Sequence, residues 1–442
     1  MEVYKNTEMG SIPLNWEVKP LNKSGDVIYG IQAAVANNTI PNGHIILTNI
    51  NITLEGRITL EKIRYYKLKS NKDFNTILQK GDLLFNWRSG SKEHVGKTAY
   101  FDLDGEYTHS SFILRIRPNR SISGKYLFFY LNYLRGSGYF VKVQTYSINA
   151  KFNKSAIEEL PVILPPLPEQ RKIAYILSTI QKAIEYQEKL IRHTTQLKKA
   201  LMQKLFTEGT KGEKQKQTEI GLVPESWEVT TIGEMYNFTS KPRGLNVELP
   251  VPFIPMDIVP LNDIYIEKYE LRENLGSGTY VENGDLLLAK ITPSFENGKQ
   301  GIVSIDKPYS YATTEVIPIK DKAKISDKYY LFYYLLKDDV RKPLTDKMEG
   351  STGRQRLSKT ILEETLIPKP PFGEQEEIAK IFLSFNEKLS FLQKKKQTLS
   401  DLFKTLLHEL MTGERRVHEK EFEALIKAYK IKEQPLSLAA DK

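Results

Sequence analysis

The sequence predicts a mixed α/β protein: two similar α/β domains joined by two long antiparallel coiled-coil helices with pseudo-two-fold symmetry. Three observations carry this. The chain is one unit written twice. Each copy opens with about 150 residues of short β-rich runs punctuated by Gly and Pro. Each copy closes with a long stretch, Glu169 to Phe206 and Glu374 to Met411, that contains neither Gly nor Pro.

The copies align residue by residue. Lys5, Thr7, Glu8, Gly10, Pro13, Trp16, Glu17 and Val18 recur as Lys216, Thr218, Glu219, Gly221, Pro224, Trp227, Glu228 and Val229, every pair 211 positions apart. Gly81-Asp82-Leu83-Leu84 recurs as Gly284-Asp285-Leu286-Leu287. Tyr126-Leu127-Phe128 with Tyr130-Leu131 recurs as Tyr330-Leu331-Phe332 with Tyr334-Leu335. Pro165-Pro166, Glu169-Gln170 and Ile173-Ala174 recur as Pro370-Pro371, Glu374-Gln375 and Ile378-Ala379, now 205 apart. So many matches in one order mark a true internal repeat. Within each copy, runs such as Ile45-Ile46-Leu47, Asp82–Phe85 and Phe112–Ile116 predict strands, and Tyr126–Leu134 predicts one short helix. Trp16 and Trp227 are expected as core anchors.

The long stretches have the 4-3 apolar spacing of a coiled-coil seam. In the second it falls on Ile378, Phe382, Phe385, Leu389, Leu392, Lys396, Leu399, Phe403, Leu406 and Leu410. In the first it falls on Ile173, Leu177, Ile180, Ile184, Gln187, Ile191, Thr194, Lys198, Leu201 and Leu205. The expected divisions are a first domain 1–168, a first spacer helix 169–206, a polar linker 207–219, a second domain 220–373, a second spacer helix 374–413 and a C-terminal tail 414–442. The short linker puts the second domain near the far end of the first helix, so the second helix must run back to pair with it. A domain is then expected at each end of a rod of ~57 Å.

Composition sets limits. With 442 residues, 40% hydrophobic and 27% charged, the chain can build real cores. It has no cysteine, which excludes a disulfide scaffold, a thiolate zinc site and a cysteine nucleophile. The start Met1-Glu2-Val3-Tyr4-Lys5-Asn6 has no apolar signal core and no stretch is apolar enough for a membrane span, so a cytoplasmic protein is expected. The net charge of +10 is uneven: residues 1–168 carry +7, residues 169–206 carry +5 and residues 220–373 carry −3. A modest positive balance is compatible with nucleic acid and does not demand it. Duplex DNA has a local two-fold axis, so a pseudo-symmetric protein with two unlike domains is expected to read two unlike half-sites around an unread spacer.

The doubled pattern Ile12-Pro13-x-x-Trp16 and Val223-Pro224-x-x-Trp227, with Pro165-Pro166-Leu167-Pro168-Glu169-Gln170 and Pro370-Pro371-Phe372-Gly373-Glu374-Gln375, resembles the specificity subunit of type I restriction-modification enzymes over nearly the whole chain. The order domain, helix, domain, helix is that family's order. The resemblance implies two target-recognition domains and sequence recognition without catalysis: an asymmetric bipartite target is read so that partners methylate adenine or restrict. It implies double-stranded DNA as ligand. It implies two modification subunits using S-adenosylmethionine and two restriction subunits using ATP and Mg2+ as partners, with no cofactor in this chain. The tail Arg415–Lys442 has no counterpart in the first repeat, and Gly373 stands where Pro168 does.

Candidate DNA contacts follow from residue type. In the first domain, Asn86, Arg88, Ser91, Lys92 and Lys97 lie on a polar, basic loop after a strand, where Arg and Asn suit base edges and Lys suits phosphates. Lys290, Thr292, Ser294 and Lys299 form the matching loop of the second domain. Arg354, Gln355 and Arg356 follow a Gly-rich turn, and residues 341–359 hold six basic and two acidic side chains inside an otherwise acidic domain. Their counterparts are Gln144, Tyr146, Asn149, Lys151 and Lys154; Lys241 and Arg243 are a further candidate pair. The basic face Lys182, Lys189, Arg192, Lys198 and Lys199 of the first long helix suits solvent or a partner better than phosphates.

Catalytic readings find little. Ser91–Thr98 nearly matches a phosphate-binding loop, but Ser91 replaces its first Gly and strand-like Ala99-Tyr100-Phe101 follows instead of a helix. Lys369-Pro370-Pro371-Phe372 has Lys where an adenine methyltransferase needs an acceptor side chain. The six histidines have no metal-ligand spacing. A methyltransferase or nuclease carrying its own readers, and a coiled-coil scaffold without DNA, remain the alternatives.

Overall fold

The computed structural model describes residues 3–32, 43–145, 153–351, 353–419, 422–423 and 427. The chain divides into two compact units, Met1–Tyr186 with Lys396–Lys442, and Gln187–Lys395. The helices that matter below are α1 (Gly124–Gly136), α2 (Leu167–Glu208), α3 (Lys328–Tyr334), α4 (Asp338–Asp346) and α5 (Phe372–Thr412).

In the first unit the apolar run Leu83–Asn86 is buried throughout and takes a central place. It lies in an antiparallel sheet ordered Gly25–Tyr29, Ile113–Pro118, Leu83–Asn86, Thr98–Tyr100. A second sheet joins Tyr65–Tyr66, His44–Leu47 and Tyr107–His109. The second unit repeats the plan with more strands. Leu286–Ala289, also buried throughout, sits in a five-stranded sheet, and Val251–Ile254 sits in a four-stranded one.

The repeated sequence motifs turn out to be joints between sheet, short helix and long helix. Strand Glu17–Pro20 pairs with Pro161–Leu164, the strand that leads into α2; Glu228–Thr231 pairs with Leu366–Lys369, which leads into α5. The hydroxyls of Tyr126 and Tyr130 on α1 donate to the carbonyls of Ile163 and Pro161. Those of Tyr330 and Tyr334 donate to Pro368 and Leu366 in the same way. Trp16 and Trp227 are 0% exposed, as their motif predicts. Each indole donates to a long-helix carboxylate, Trp16 to Glu169 at 3.0 Å and Trp227 to Glu374 at 3.2 Å. Gln170 accepts from the Ser123 backbone N–H, and Gln375 from that of Asp327, so the residue before each short helix is tied to the long helix.

Both long helices start two residues earlier than expected, at Leu167 and Phe372. Pro168 is accommodated because the first helical turn has no intrahelical partner for its missing N–H. All twenty seam positions predicted from the 4-3 spacing are buried or half-buried, Gln187, Thr194, Lys198 and Lys396 included. In the first unit Ile173 and Leu177 from the start of α2 share one core with Leu410 and Met411 from the end of α5. In the second unit Leu205 and Phe206 from the end of α2 share one core with Ile378 and Phe382 from the start of α5. The pairing is antiparallel in each.

Within the polar linker, Gln215–Thr218 forms a hairpin strand with Gly221–Pro224, as Tyr4–Thr7 does with Gly10–Pro13. One expectation needs correction. The first residues of the tail do have a counterpart. Arg416 binds the Glu169 carboxylate with two donors, at 2.7 and 2.9 Å, while Lys211 stands 3.4 Å from Glu374. Gly413 ends α5 at φ +78° against Pro13 and Trp16, and Gly209 ends α2 at φ +66° against Pro224 and Trp227. A Cβ on Gly413 would stand 2.5 Å from the Pro13 ring, so both the conformation and the space require glycine there. Among the described residues no helix is long and apolar enough to cross a membrane.

Candidate nucleic-acid interface

In the second unit, strand Leu286–Ala289 runs out of its sheet into the loop 290–299, and Gln300–Val303 returns. The helix α4 runs into the Gly-rich turn 349–356. The structure brings these two loops together edge to edge. Thr292 N–H donates to the Gln355 carbonyl at 3.0 Å, Gln355 N–H donates to Thr292 Oγ1 at 3.1 Å, and Leu357 N–H donates to the Lys290 carbonyl at 2.8 Å. Bridges Ile291–Arg356 and Glu349–Arg356 complete a short β-like ledge. Lys290, Thr292, Ser294, Gln355, Arg354 and Arg356 therefore belong to one surface, though the residues lie some sixty positions apart.

Their freedom differs. Arg354 is exposed and has no ion pair among the described residues. Arg356 is bound bidentately to Glu315, at 2.7 to 3.1 Å, and its guanidinium holds that carboxyl below the ordinary range. Glu315 carries no signal in the sequence, because its partner is supplied by tertiary structure. Lys290 and Lys299 are half-buried, and the Lys299 N–H closes the loop on the Ser294 carbonyl. Lys241 and Arg243 are exposed on a separate segment; Lys241 lies over the Tyr311 ring at 5.9 Å.

The first unit keeps the plan with different chemistry. Arg88 is exposed after strand Leu83–Asn86, its guanidinium 5.6 Å over the exposed Phe112 ring. Trp87 beside it stacks edge-on against Tyr29 at 5.4 Å and donates to the Ser111 carbonyl. The Tyr29 hydroxyl accepts from the Lys154 N–H, so the end of the second candidate segment is tied to the same place. The Lys154 side chain pairs with Glu158 at 3.4 Å. Ser91 is exposed. Tyr146, Asn149 and Lys151 lie outside the described residues, as do the side chains of Lys92 and Gln144.

Asn86 and Lys97 are not on this surface. Asn86 is 0% exposed, and its amide donates inward to the His94 carbonyl at 2.7 Å. Lys97 is 5% exposed, and its ammonium donates to the carbonyls of Asn49 and Ile52 at 3.1 and 2.7 Å. Burial pulls its pKa down, and the neighbouring Arg135 adds to that. Both residues brace the loop from beneath, since a buried donor is costly to leave unpaired. Among the described residues no three His, Asp or Glu side chains stand together as a metal cluster would require.

Comparison with known proteins bears on this geometry. The sequence profile described as the type I restriction modification DNA specificity domain matches residues 13–194 and again 224–401. The chain is 31% identical over 437 residues to the protein named as the MjaX type I restriction enzyme specificity subunit of Methanocaldococcus jannaschii, covering 94% of this chain and 97% of that protein. It is 27% identical over 434 residues to the MjaVIII specificity subunit of the same organism, covering 95% and 98%. The crystal structure of a type I restriction-modification S subunit from M. genitalium superposes with a TM-score of 0.55 at 16% identity, covering 90% of this chain and 96% of that one, which shows a shared fold.

Proposed function

The chain belongs to the type I restriction-modification DNA specificity family, whose profile it matches twice, and from that premise we propose that each unit reads one half of a split target through the surface described above. The protein is a specificity subunit that recognises DNA. The observation that carries the finer reading is the pair Arg88 and Arg354. Each is exposed, each stands on the surface around the end of an equivalent central strand, and each is surrounded by unlike residues. Arginine offers two parallel donors to guanine O6 and N7, worth ~1–3 kcal/mol of discrimination per base pair. Arg356 positions the ledge through Glu315, and Lys290, Lys299, Lys241 and Arg243 suit phosphate contacts that fix register without reading sequence.

Unlike loops on like frames give two unlike half-sites, hence an asymmetric target. Methyl transfer from S-adenosylmethionine to adenine and ATP- and Mg2+-dependent restriction belong to two modification and two restriction subunits that assemble on this chain in the cytoplasm. The long helices, with the joints at Glu169 and Glu374, supply the frame on which those partners dock.

Methylome sequencing of cells with and without the gene is expected to reveal one split adenine motif that vanishes with the gene. Arg354→Ala together with Arg356→Ala should relax one half of that motif and spare the other, with a loss of about tenfold or more in discrimination at the affected base pairs. Equal weakening across both halves would remove Arg354 from base readout. Methyl transfer or DNA cleavage by the purified chain alone would overturn the non-catalytic reading.

A further inference from the structure

We infer that Arg341, buried in the second unit, is a specificity-positioning residue: one guanidinium sets the loop 290–299 against the turn 349–356 and so fixes what the second unit reads. This rests on the proposed reading surface and names a residue behind it.

Arg341 lies on α4 and is 6% exposed. Its Nε donates to the Leu335 carbonyl at 2.8 Å, just beyond the end of α3. Its Nη1 donates to the Phe295 carbonyl at 2.5 Å, in the middle of the loop 290–299. Its Nη2 donates to Gln300 Oε1 at 2.6 Å, where that loop rejoins the sheet. Gln300 in turn donates through Nε2 to the Phe332 carbonyl on α3 at 2.7 Å. The guanidinium also lies over the Phe295 ring at 4.8 Å.

The position of α4 gives these bonds their meaning. The same helix that carries Arg341 delivers the turn 349–356 a few residues later. Arg341 therefore holds one loop by hydrogen bonds and the other by chain connection, while Thr292 and Gln355 join the two loops at the front. Move α4, and the register between Lys290 and Arg354 moves with it.

No carboxylate pairs with Arg341 among the described residues, and burial alone lowers its pKa, to about 10. It stays charged at neutral pH. A buried cation held only by neutral acceptors is an expensive way to fill space. The first unit backs its loop 86–97 differently: Phe140, 1% exposed, packs against Phe85 at 5.4 Å and closes on Gly96, and a lysine, Lys97, donates to the carbonyls of Asn49 and Ile52. Three donors aimed at three separate acceptors specify where the loop must stand, and only a planar fork supplies them.

The test uses the full chain assembled with its modification subunits, on duplexes in which each half of the wild-type methylation motif is randomised in turn. Arg341→Met removes all the donors; Arg341→Lys keeps the charge and reaches fewer acceptors. Arg341→Met is expected to lose at least tenfold of its discrimination in the half-site that Arg354→Ala relaxes, with the other half unchanged. Arg341→Lys should fall between it and wild type. Unchanged discrimination in both halves, an equal loss in both, or failure of both variants to assemble would overturn the assignment and leave Arg341 a fold residue. Arg354→Ala separates the two failures. If it relaxes one half-site and Arg341→Met does not, only the positioning role falls. If Arg354→Ala relaxes neither, the reading surface itself falls.

Discussion

At equivalent places along the paired helices, the first unit sets Phe403 against Phe129, ring centroids 6.1 Å apart, and the second sets Lys198 against Tyr333. Lys198 and Phe403 stand 205 positions apart, the offset of the helix repeat. The Lys198 ammonium lies 5.2 Å from the Tyr333 ring and donates to Asn386 Oδ1. A second pair of positions differs in the same sense. Asp82 is buried in the first unit and bound bidentately by Arg117 at 2.7 Å. Asp285 is equally buried in the second, but Lys320, at the position matching Arg117, turns to Glu282 instead. Asp285 Oδ1 is left without a hydrogen bond. The joints to the long helices are duplicated closely; the charges packed behind the domains are not. The second unit thus carries one half-buried and one buried charge, both poorly compensated, where the first carries a ring pair and an ion pair.

The largest expected effect tests what the units share. Trp16→Ala and Trp227→Ala should each cost ~3–5 kcal/mol, because each empties a fully buried site and strips a hydrogen bond from a helix carboxylate. Urea melts with unit-resolved hydrogen exchange should place the loss in the first unit for one variant and in the second for the other. A large loss from only one would break the equivalence of the joints.

The next effect concerns Lys198. Burial lowers its pKa to about 8, so between pH 8 and 10.5 the unfolded chain binds a proton that the folded chain has released. Stability of the second unit should therefore rise as pH rises through that window. Lys198→Met removes the ionisation and should stabilise the second unit at pH 7 by about 2–3 kcal/mol. Phe403→Lys should weaken the first unit by a similar amount. No gain from Lys198→Met would mean that the Tyr333 ring and Asn386 fully compensate the charge.

Asp285 gives the smallest effect, with the opposite slope. Burial raises its pKa to about 6, so the folded chain holds a proton between pH 4 and 6 that the unfolded chain has lost. The second unit should be most stable below pH 4 on this account, lose stability up to pH 6 and level off above. Asp285→Asn should flatten that fall and add ~1–2 kcal/mol at pH 8. Thermal melts across the range would read it, and a profile unchanged by the substitution would remove Asp285 as its source.

What the sequence made legible was local or repeated. Trp16, Glu169 and Gln170 announce themselves because Trp227, Glu374 and Gln375 repeat them, and the helix seam is visible because its spacing is regular. What stayed hidden depends on contacts between distant segments. Lys97 looks like a surface lysine in a polar loop, yet its acceptors at Asn49 and Ile52 lie 48 and 45 residues away. The ledge joining Thr292 to Gln355 spans 63 residues. Arg341 stands in a basic run that reads as one DNA-facing patch, and only the α4 packing separates it from Arg354.

The first unit is discontinuous in sequence and the second is not. On the ribosome, Gln187–Lys395 is complete as soon as its last residue emerges. The first unit has to wait for Leu410, Met411 and Arg416, which lie beyond an insertion of about 210 residues after Tyr186. At ~5–20 residues per second that delay is roughly 10–40 s, during which Ile173 and Leu177 lack the cover of Leu410 and Met411, and the Glu169 carboxylate keeps the Trp16 indole but lacks Arg416. Biogenesis therefore runs against the order of synthesis: the later half closes first, and the N-terminal half is sealed by the last segment to arrive.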